Sequence, residues 1–227
     1  MKYPYLLFDV DDTLFDFPKS SAQAFDTLCR LENIPNAPET RELYHTINME
    51  LWTAFDRREI TKEQVITGRF IRFLDVLGLE RDPDQCNDVY LNALGNAVYP
   101  LPWSEEVCRE LARRGHQLYI VTNAVASVQR SRLKLCPFGD LFSRMFISEE
   151  AGAAKPDRAY YEYVFSQVPE LTHENCLVIG DSLTSDILGA NNADLPCCWF
   201  NPKGKTAGPE LRIDYDIRDL RELLDIV

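Results

Sequence analysis

The sequence predicts an α/β protein, a doubly wound and mostly parallel sheet with an all-helical cap inserted after its first strand. Short, wholly apolar runs recur and end on turn residues, as strands buried on both faces require. From about residue 104 to 200 these runs alternate with helical patterns, the signature of successive β-α-β units. Between 18 and 99, by contrast, helical periods continue without a convincing strand. The core is therefore expected over 1–17 and 100–227, and the cap over 18–99.

The elements follow in order. Residues 5–8, Tyr-Leu-Leu-Phe, form the first strand and lead directly into acidic residues. In the insert, Leu43, Ile47, Leu51 and Ala54 make one helical stripe. Ile66, Phe70, Phe73, Leu74 and Leu77 make another, opened by a Thr61-x-x-Gln64 capping box and stopped by Gly78. Pro100 and Pro102 mark the return to the core. A helix over 104–114 carries Glu105 and Glu106 in its first turn and Arg113 and Arg114 in its last, the order that suits the helix dipole. Strands are expected at 118–121, 145–147, 176–179 and 197–200, with helices over 157–167 and 183–193. In such a sheet the ligand site lies at the carboxyl ends of the strands.

Composition narrows the function. The chain has 227 residues, 45% of them apolar and 26% charged, with a formal charge of −12. That excess of negative charge argues against nucleic acid or an anionic membrane as the main partner. No stretch approaches the ~20 apolar residues of a membrane span. The N-terminal run meets Asp9, Asp11 and Asp12 too soon for a signal peptide. Seven scattered cysteines with no C-x-x-C pair then read as reduced, mostly buried thiols of a cytosolic protein. The three histidines share no metal-ligand spacing, so no zinc site is expected.

Four polar clusters lie at strand ends or close to them. Asp9-Val10-Asp11-Asp12-Thr13 follows the first strand, and two carboxylates this close could share a hard cation or divide nucleophile and acid roles. Asp-rich turns also simply cap helices. Gly180-Asp181-Ser182-Leu183-Thr184-Ser185-Asp186 follows another strand, and a break at Asp181 could bring Asp181 and Asp186 to one strand end, or the two could be an N-cap and a dipole-complementing Asp. Lys155 precedes Pro156, a residue favoured at the first helical position, which would place a lysine at a helix N-terminus. A cation opposes the dipole there, so an anionic ligand would explain it, the other reading being an exposed loop lysine. Thr122-Asn123 closes a strand with a hydroxyl and an amide that suit phosphate oxygens or cap the next helix.

Together, D-x-D-x-T, then Thr, then Lys, then G-D-x-x-x-x-D, this order resembles the haloacid dehalogenase superfamily. The likeness spans Asp9 to Asp186 and includes the helical insert, which resembles that family's cap. Asp12 stands where many members carry Gly, and Asp also tolerates unusual backbone angles. The wider spelling Phe8-Asp9-Val10-Asp11-Asp12-Thr13-Leu14-Phe15-Asp16-Phe17 is similar to the 5′-nucleotidase branch acting on pyrimidine and noncanonical nucleoside monophosphates.

The resemblance implies a Mg²⁺-dependent phosphomonoesterase. Asp9 would be the nucleophile that forms an aspartyl-phosphate, and Asp11 the acid and later the base. Mg²⁺ would be held by the Asp9 carboxylate, the Asp11 backbone carbonyl and Asp181, with Asp186 supporting the site or reaching the ion through water. Thr122 and the Asn123 backbone would hold phosphoryl oxygens, and Lys155 would screen Asp9 from the phosphate. Independently of the likeness, a phosphate dianion approaching a carboxylate needs local positive charge, which Mg²⁺ and Lys155 would supply. Asp11 favours phosphoryl transfer over dehalogenation, which has no leaving alkoxide to protonate.

The expected partner is a small-molecule phosphomonoester, a pyrimidine nucleoside 5′-monophosphate in the first reading. A sugar-phosphate phosphatase or a phosphoglucomutase is the rival within this chemistry. A phospho-accepting signalling domain is the non-enzyme rival, although nothing in it would need the helical insert. Tyr44, Trp52, Phe55, Arg57 and Arg58 could contact a base, or be core aromatics and solvated arginines.

Overall fold

The computed structural model describes residues 2–227. In chain order, β1 (Tyr5–Phe8) is followed by four helices, α1 (Phe17–Glu32), α2 (Pro38–Asp56), α3 (Lys62–Leu77) and α4 (Pro83–Gly95). Next come α5 (Ser104–Arg113), β2 (Gln117–Thr122), α6 (Ala126–Leu135), β3 (Phe142–Ile147), α7 (Ser148–Ala151), α8 (Arg158–Gln167) and β4 (Cys176–Gly180). A π turn (Leu183–Ile187), α9 (Leu188–Asn192), β5 (Cys197–Phe200), β6 (Tyr215–Ile217) and α10 (Leu223–Ile226) complete the chain. Two compact units result, one holding the chain up to Phe17 and from Val98 onward, the other Pro18–Ala97.

The first unit is built on a six-stranded sheet in the order β3-β2-β1-β4-β5-β6, with every neighbouring pair parallel. The strand order reverses around β1, which lies between β2 and β4. Phe8 is level with Ile120 on one side and Ile179 on the other. Asp9, Thr122 and Asp181 therefore leave three neighbouring strands at the same edge, the place where doubly wound sheets hold ligands.

Alternation along the strands explains why both faces are apolar. Leu6, Phe8, Leu118, Ile120, Leu177 and Ile179 pack with Val107, Cys108 and Leu111 of α5 on one face. Leu7, Tyr119, Val121 and Val178 pack with Tyr160, Tyr161 and Val164 of α8 on the other.

Several boundaries depart from the sequence-based expectation, each for a physical reason. β3 begins at Phe142 rather than 145, because this edge strand exposes Ser143 and Arg144 and is wholly apolar only in its second half. β6 has no counterpart among the strands the sequence predicts; its Tyr-Asp-Ile has one buried apolar residue and, among the described residues, pairs with β5 at the sheet edge. The helix expected over 183–193 divides into a π turn and α9. α8 starts at Arg158 with Asp157 at its N-cap, so Pro156 is not the first helical residue. Lys155 accordingly lies in the preceding loop, joined to Pro156 by a cis peptide, and not at a helix N-terminus.

The second unit is helical throughout its elements. Thr61 and Gln64 form the capping box at the start of α3, and Gly78 ends that helix with a left-handed φ of 62°. The buried stripe of α2 is displaced from the expected one. Thr40, Tyr44, Ile47 and Asn48 are buried, whereas Leu43, Leu51 and Ala54 are half-buried. Tyr44 stacks on Phe25 and Phe70 with ring centroids 4.7 and 5.5 Å apart. It is a core residue of this unit and not an accessible surface for a base.

Within the first unit, the segment leaving β1 and the segment preceding α5 are joined side by side. Leu101 N donates to Leu14 O and Asp16 N to Tyr99 O, each at 2.8 Å, and Phe15 bridges Pro100 in antiparallel fashion.

Among the described residues no helix is long and apolar enough to cross a membrane. All seven cysteines are buried and unpaired. Burial pushes the thiols of Cys29, Cys86 and Cys136 up to about 11 and that of Cys176 to about 12. The native protein is therefore expected to resist a thiol-titrating aromatic disulfide at pH 8 and to reveal seven equivalents once unfolded. Rapid native titration of more than one thiol would contradict this packing.

Candidate active site

Lys155 organises the carboxyl edge of β1, β2 and β4. Its ammonium, almost wholly buried, donates to Asp9 Oδ1 at 2.7 Å, Asp186 Oδ1 at 2.6 Å and Val121 O at 2.8 Å. The three N–H donors of a lysine are thus all used. The loop that carries it is held by Asn123, whose side-chain Nδ2 donates to Lys155 O at 2.8 Å while its Oδ1 accepts from Lys155 N at 2.9 Å. Burial alone would lower the lysine's proton affinity, but Asp186 and Asp9 outweigh it and hold the group well above its ordinary value.

Asp186 reaches the site through the π turn. Asp186 N and Ile187 N both bond to Ser182 O, and Asp186 Oδ2 accepts from Ser182 N at 3.1 Å. The widened turn folds the carboxylate back over the end of β4. Gly180 makes room for it: a Cβ at that position would lie 2.3 Å from Asp186 Cγ. Asp181 follows, with its backbone carbonyl accepting from the Trp199 indole at 2.9 Å.

Asp9, Asp181 and Asp186 each offer an oxygen within 4.8 Å of the others. Burial pushes the Asp9 carboxyl up to about 8, with Lys155 opposing and the Asp186 charge adding to the shift. Burial, reinforced by Asp186 and Asp9, pushes Asp181 to about 9. Three carboxylates around one ammonium leave the cluster short of positive charge. An all-oxygen donor set in that condition fits a hard divalent cation.

Asp11 lies outside this cluster. Its Oδ1 accepts from Arg132 Nη1 at 2.5 Å and its Oδ2 from Gln129 Nε2 at 2.6 Å. The structure therefore brings Asp9, Asp181, Asp186 and Lys155 together and turns the Asp11 side chain toward α6. The turn that carries Asp11 is tight. Leu14 N and Phe15 N both donate to Val10 O, and Asp12 takes a left-handed φ of 61° while its Oδ1 accepts from Phe17 N at 3.2 Å. Asp12 is thus a residue with a conformational duty.

Thr122, buried at the end of β2, accepts at Oγ1 from Ala124 N at 3.1 Å and shapes the turn into α6. Arg132 and Gln129 were missed from the sequence. They sit three apart on a helix of weak amphipathicity, and an arginine with no exposed surface is not what composition leads one to expect.

The haloacid dehalogenase-like hydrolase model matches residues 6–200. The chain belongs to the haloacid dehalogenase-like hydrolase family. This hydrolase is 38% identical to the HAD-hydrolase YfnB of Bacillus subtilis, over 100% of this chain and 96% of that protein. A crystal structure of YfnB bound to magnesium superposes with a TM-score of 0.93, covering 100% of this chain and 99% of the other. The hydrolase is also 31% identical to the pyrimidine 5′-nucleotidase PynA of Streptococcus pneumoniae, over 99% of this chain and 95% of that protein. It is 30% identical to the pyrimidine 5′-nucleotidase YjjG of Escherichia coli, over 98% of this chain and 97% of that one.

Substituting Gly180→Ala in this hydrolase is expected to force Asp186 out of place and lower stability by about 1–3 kcal/mol, the usual cost of overpacking. Chemical denaturation measures it, and an unchanged midpoint would show that the π turn yields freely.

Proposed function

We propose that this hydrolase is a Mg²⁺-dependent phosphoric monoesterase acting through an aspartyl-phosphate on Asp9, with a pyrimidine nucleoside 5′-monophosphate as substrate. The observation that carries the reaction class is the second carboxylate, Asp11, two residues from the buried Asp9–Lys155 pair and held by two donors of its own. The full-length likeness to two pyrimidine 5′-nucleotidases supports the substrate.

In this mechanism an Asp9 oxygen attacks phosphorus and the bond to the leaving oxygen breaks. The electron pair goes to that oxygen, which takes a proton from Asp11. Asp11 then takes a proton from the water that attacks the phosphorylated Asp9, releasing inorganic phosphate and restoring both carboxyl groups. Lys155, bonded to Asp9 Oδ1, fixes the nucleophile's orientation and offsets part of its charge. The Thr122 hydroxyl and the Asn123 backbone N–H, at the end of β2, would donate to phosphoryl oxygens. Mg²⁺ would be held by Asp9, Asp181 and the Asp11 backbone carbonyl, with Asp186 in support, and would supply two positive charges where phosphate meets carboxylate. Seven unpaired thiols suit a reducing compartment and support a cytosolic place of action.

Phosphate release with Mg²⁺ across UMP, dUMP, dTMP, AMP, GMP and several sugar phosphates tests the substrate. The pyrimidine nucleotides are expected to lead by roughly tenfold or more in kcat/KM. A sugar phosphate in first place would overturn the substrate while leaving the chemistry of Asp9 intact. Asp9→Asn is expected to lower turnover by at least about a thousandfold with cooperative unfolding retained. An active Asn variant would remove Asp9 as the nucleophile.

A further inference from the structure

The Asp11 carboxylate is one corner of a closed triangle. Arg132 Nη1 donates to Asp11 Oδ1 at 2.5 Å and to Gln129 Oε1 at 3.3 Å, while Gln129 Nε2 donates to Asp11 Oδ2 at 2.6 Å. The amide of Gln129 has a single orientation that serves both contacts, because flipping it would set an acceptor against the carboxylate and a donor against the guanidinium. Each oxygen of Asp11 meets a different donor, so the plane of the carboxylate is fixed as well as its position.

The donors themselves are rigid. Arg132 has no exposed surface and Gln129 only 1%. The guanidinium lies 4.8 Å over the Phe15 ring, on the same turn that carries Asp11. Residues 129 and 132 are one helical turn apart on α6 and share a face. The partner they grip is accessible by comparison, with the Asp11 side chain 24% exposed. Such an arrangement of buried donors around a partly exposed carboxylate suits a group that must face a substrate atom in one direction.

We propose that Arg132 and Gln129 are the positioning residues of Asp11 and fix the direction in which it delivers its proton to the leaving oxygen. The proposal rests on the reading of Asp11 as the acid of a phosphomonoesterase. Asp11 transfers its proton to the oxygen that receives the electron pair of the broken P–O bond. The carboxylate left behind keeps both oxygens bonded to Gln129 and Arg132, whose positive charge offsets the one that develops. Neither α6 residue touches the substrate in this scheme.

The test exploits leaving-group chemistry. A nucleoside alkoxide needs protonation as it departs, whereas 4-nitrophenolate departs without it. The quantity read is kcat/KM for UMP divided by kcat/KM for 4-nitrophenyl phosphate. This ratio reports the step that phosphorylates the enzyme and cancels losses common to both substrates. For Asp11→Asn the ratio should fall by about a hundredfold, within the range of general-acid contributions. For Arg132→Lys, which keeps the charge and loses the planar fork, and for Gln129→Met, which keeps the volume and loses the amide, it should fall by about tenfold or more. If the sugar phosphates outrank UMP, the best of them takes its place in the ratio.

A fall for Asp11→Asn with an unchanged ratio in both α6 variants would overturn the positioning role and leave the acid in place. An unchanged ratio in Asp11→Asn would overturn the reading of Asp11 itself. Should Arg132→Lys fail to fold, Gln129→Met alone decides. Its side chain is neutral, so its loss leaves no unpaired charge.

Discussion

A lysine ammonium removed from water must be fully hydrogen-bonded and paired, or it gives up its proton. Lys155 meets that demand with two carboxylates and one strand carbonyl, and each partner comes from a different strand end: Asp9 after β1, Val121 on β2, Asp186 beyond β4. The requirement explains the neighbouring features. Asn123 clamps the lysine's backbone, Gly180 leaves space for Asp186, and the π turn swings that carboxylate inward. Two negative partners for one positive charge is nevertheless an unbalanced arrangement, and the third carboxylate, Asp181, worsens it. Burial raises the proton affinity of Asp9 and Asp181, the Asp186 charge adds to it, and a divalent cation would offset both.

The site contains two carboxylates with opposite surroundings. Asp9 faces the buried lysine and other acids, while Asp11 faces the donors of α6. The two are only two residues apart, yet their side chains meet different neighbours, Lys155 for Asp9 and Gln129 and Arg132 for Asp11. α6 serves both halves of the site, since it begins just after Thr122-Asn123 and presents Gln129 and Arg132 further along. A shift of that helix along its axis would therefore disturb the Thr122-Asn123 turn and Asp11 together.

What the sequence makes legible depends on whether a signal is local. Wholly apolar runs such as 176–179 and 197–200 betray strands covered on both faces, and the polar residue at the end of each run marks the ligand edge. The sequence order of Asp9, Thr122, Lys155 and Asp181 carries the family likeness for the same reason. The hidden parts depend on tertiary placement. The sequence points Lys155 to a helix N-terminus, whereas in space it is a buried pivot on a loop held by Asn123, which is far away along the chain. Arg132 looks like one more charge on a polar helix, because only the approach of the β1 turn turns it inward. β6 is too short and too polar to announce itself. Tyr44 illustrates the reverse: an aromatic that could have met a ligand is instead enclosed by Phe25, Phe70 and Phe73.

The paired segments on either side of the insert have a consequence for how such a chain can vary. Leu14 and Asp16 are bonded to Leu101 and Tyr99, with Phe15 bridged to Pro100, so the two ends of the intervening sequence are already zipped together by the core. For the sheet, everything from Pro18 to Ala97 is one long excursion whose closure is secured locally. The entropy of closing a loop grows only slowly with its length, by about 0.6 kcal/mol per doubling. Lengthening, shortening or exchanging the excursion thus costs the catalytic sheet little. A lineage can rewrite the helical unit while Asp9 and its neighbours keep their places.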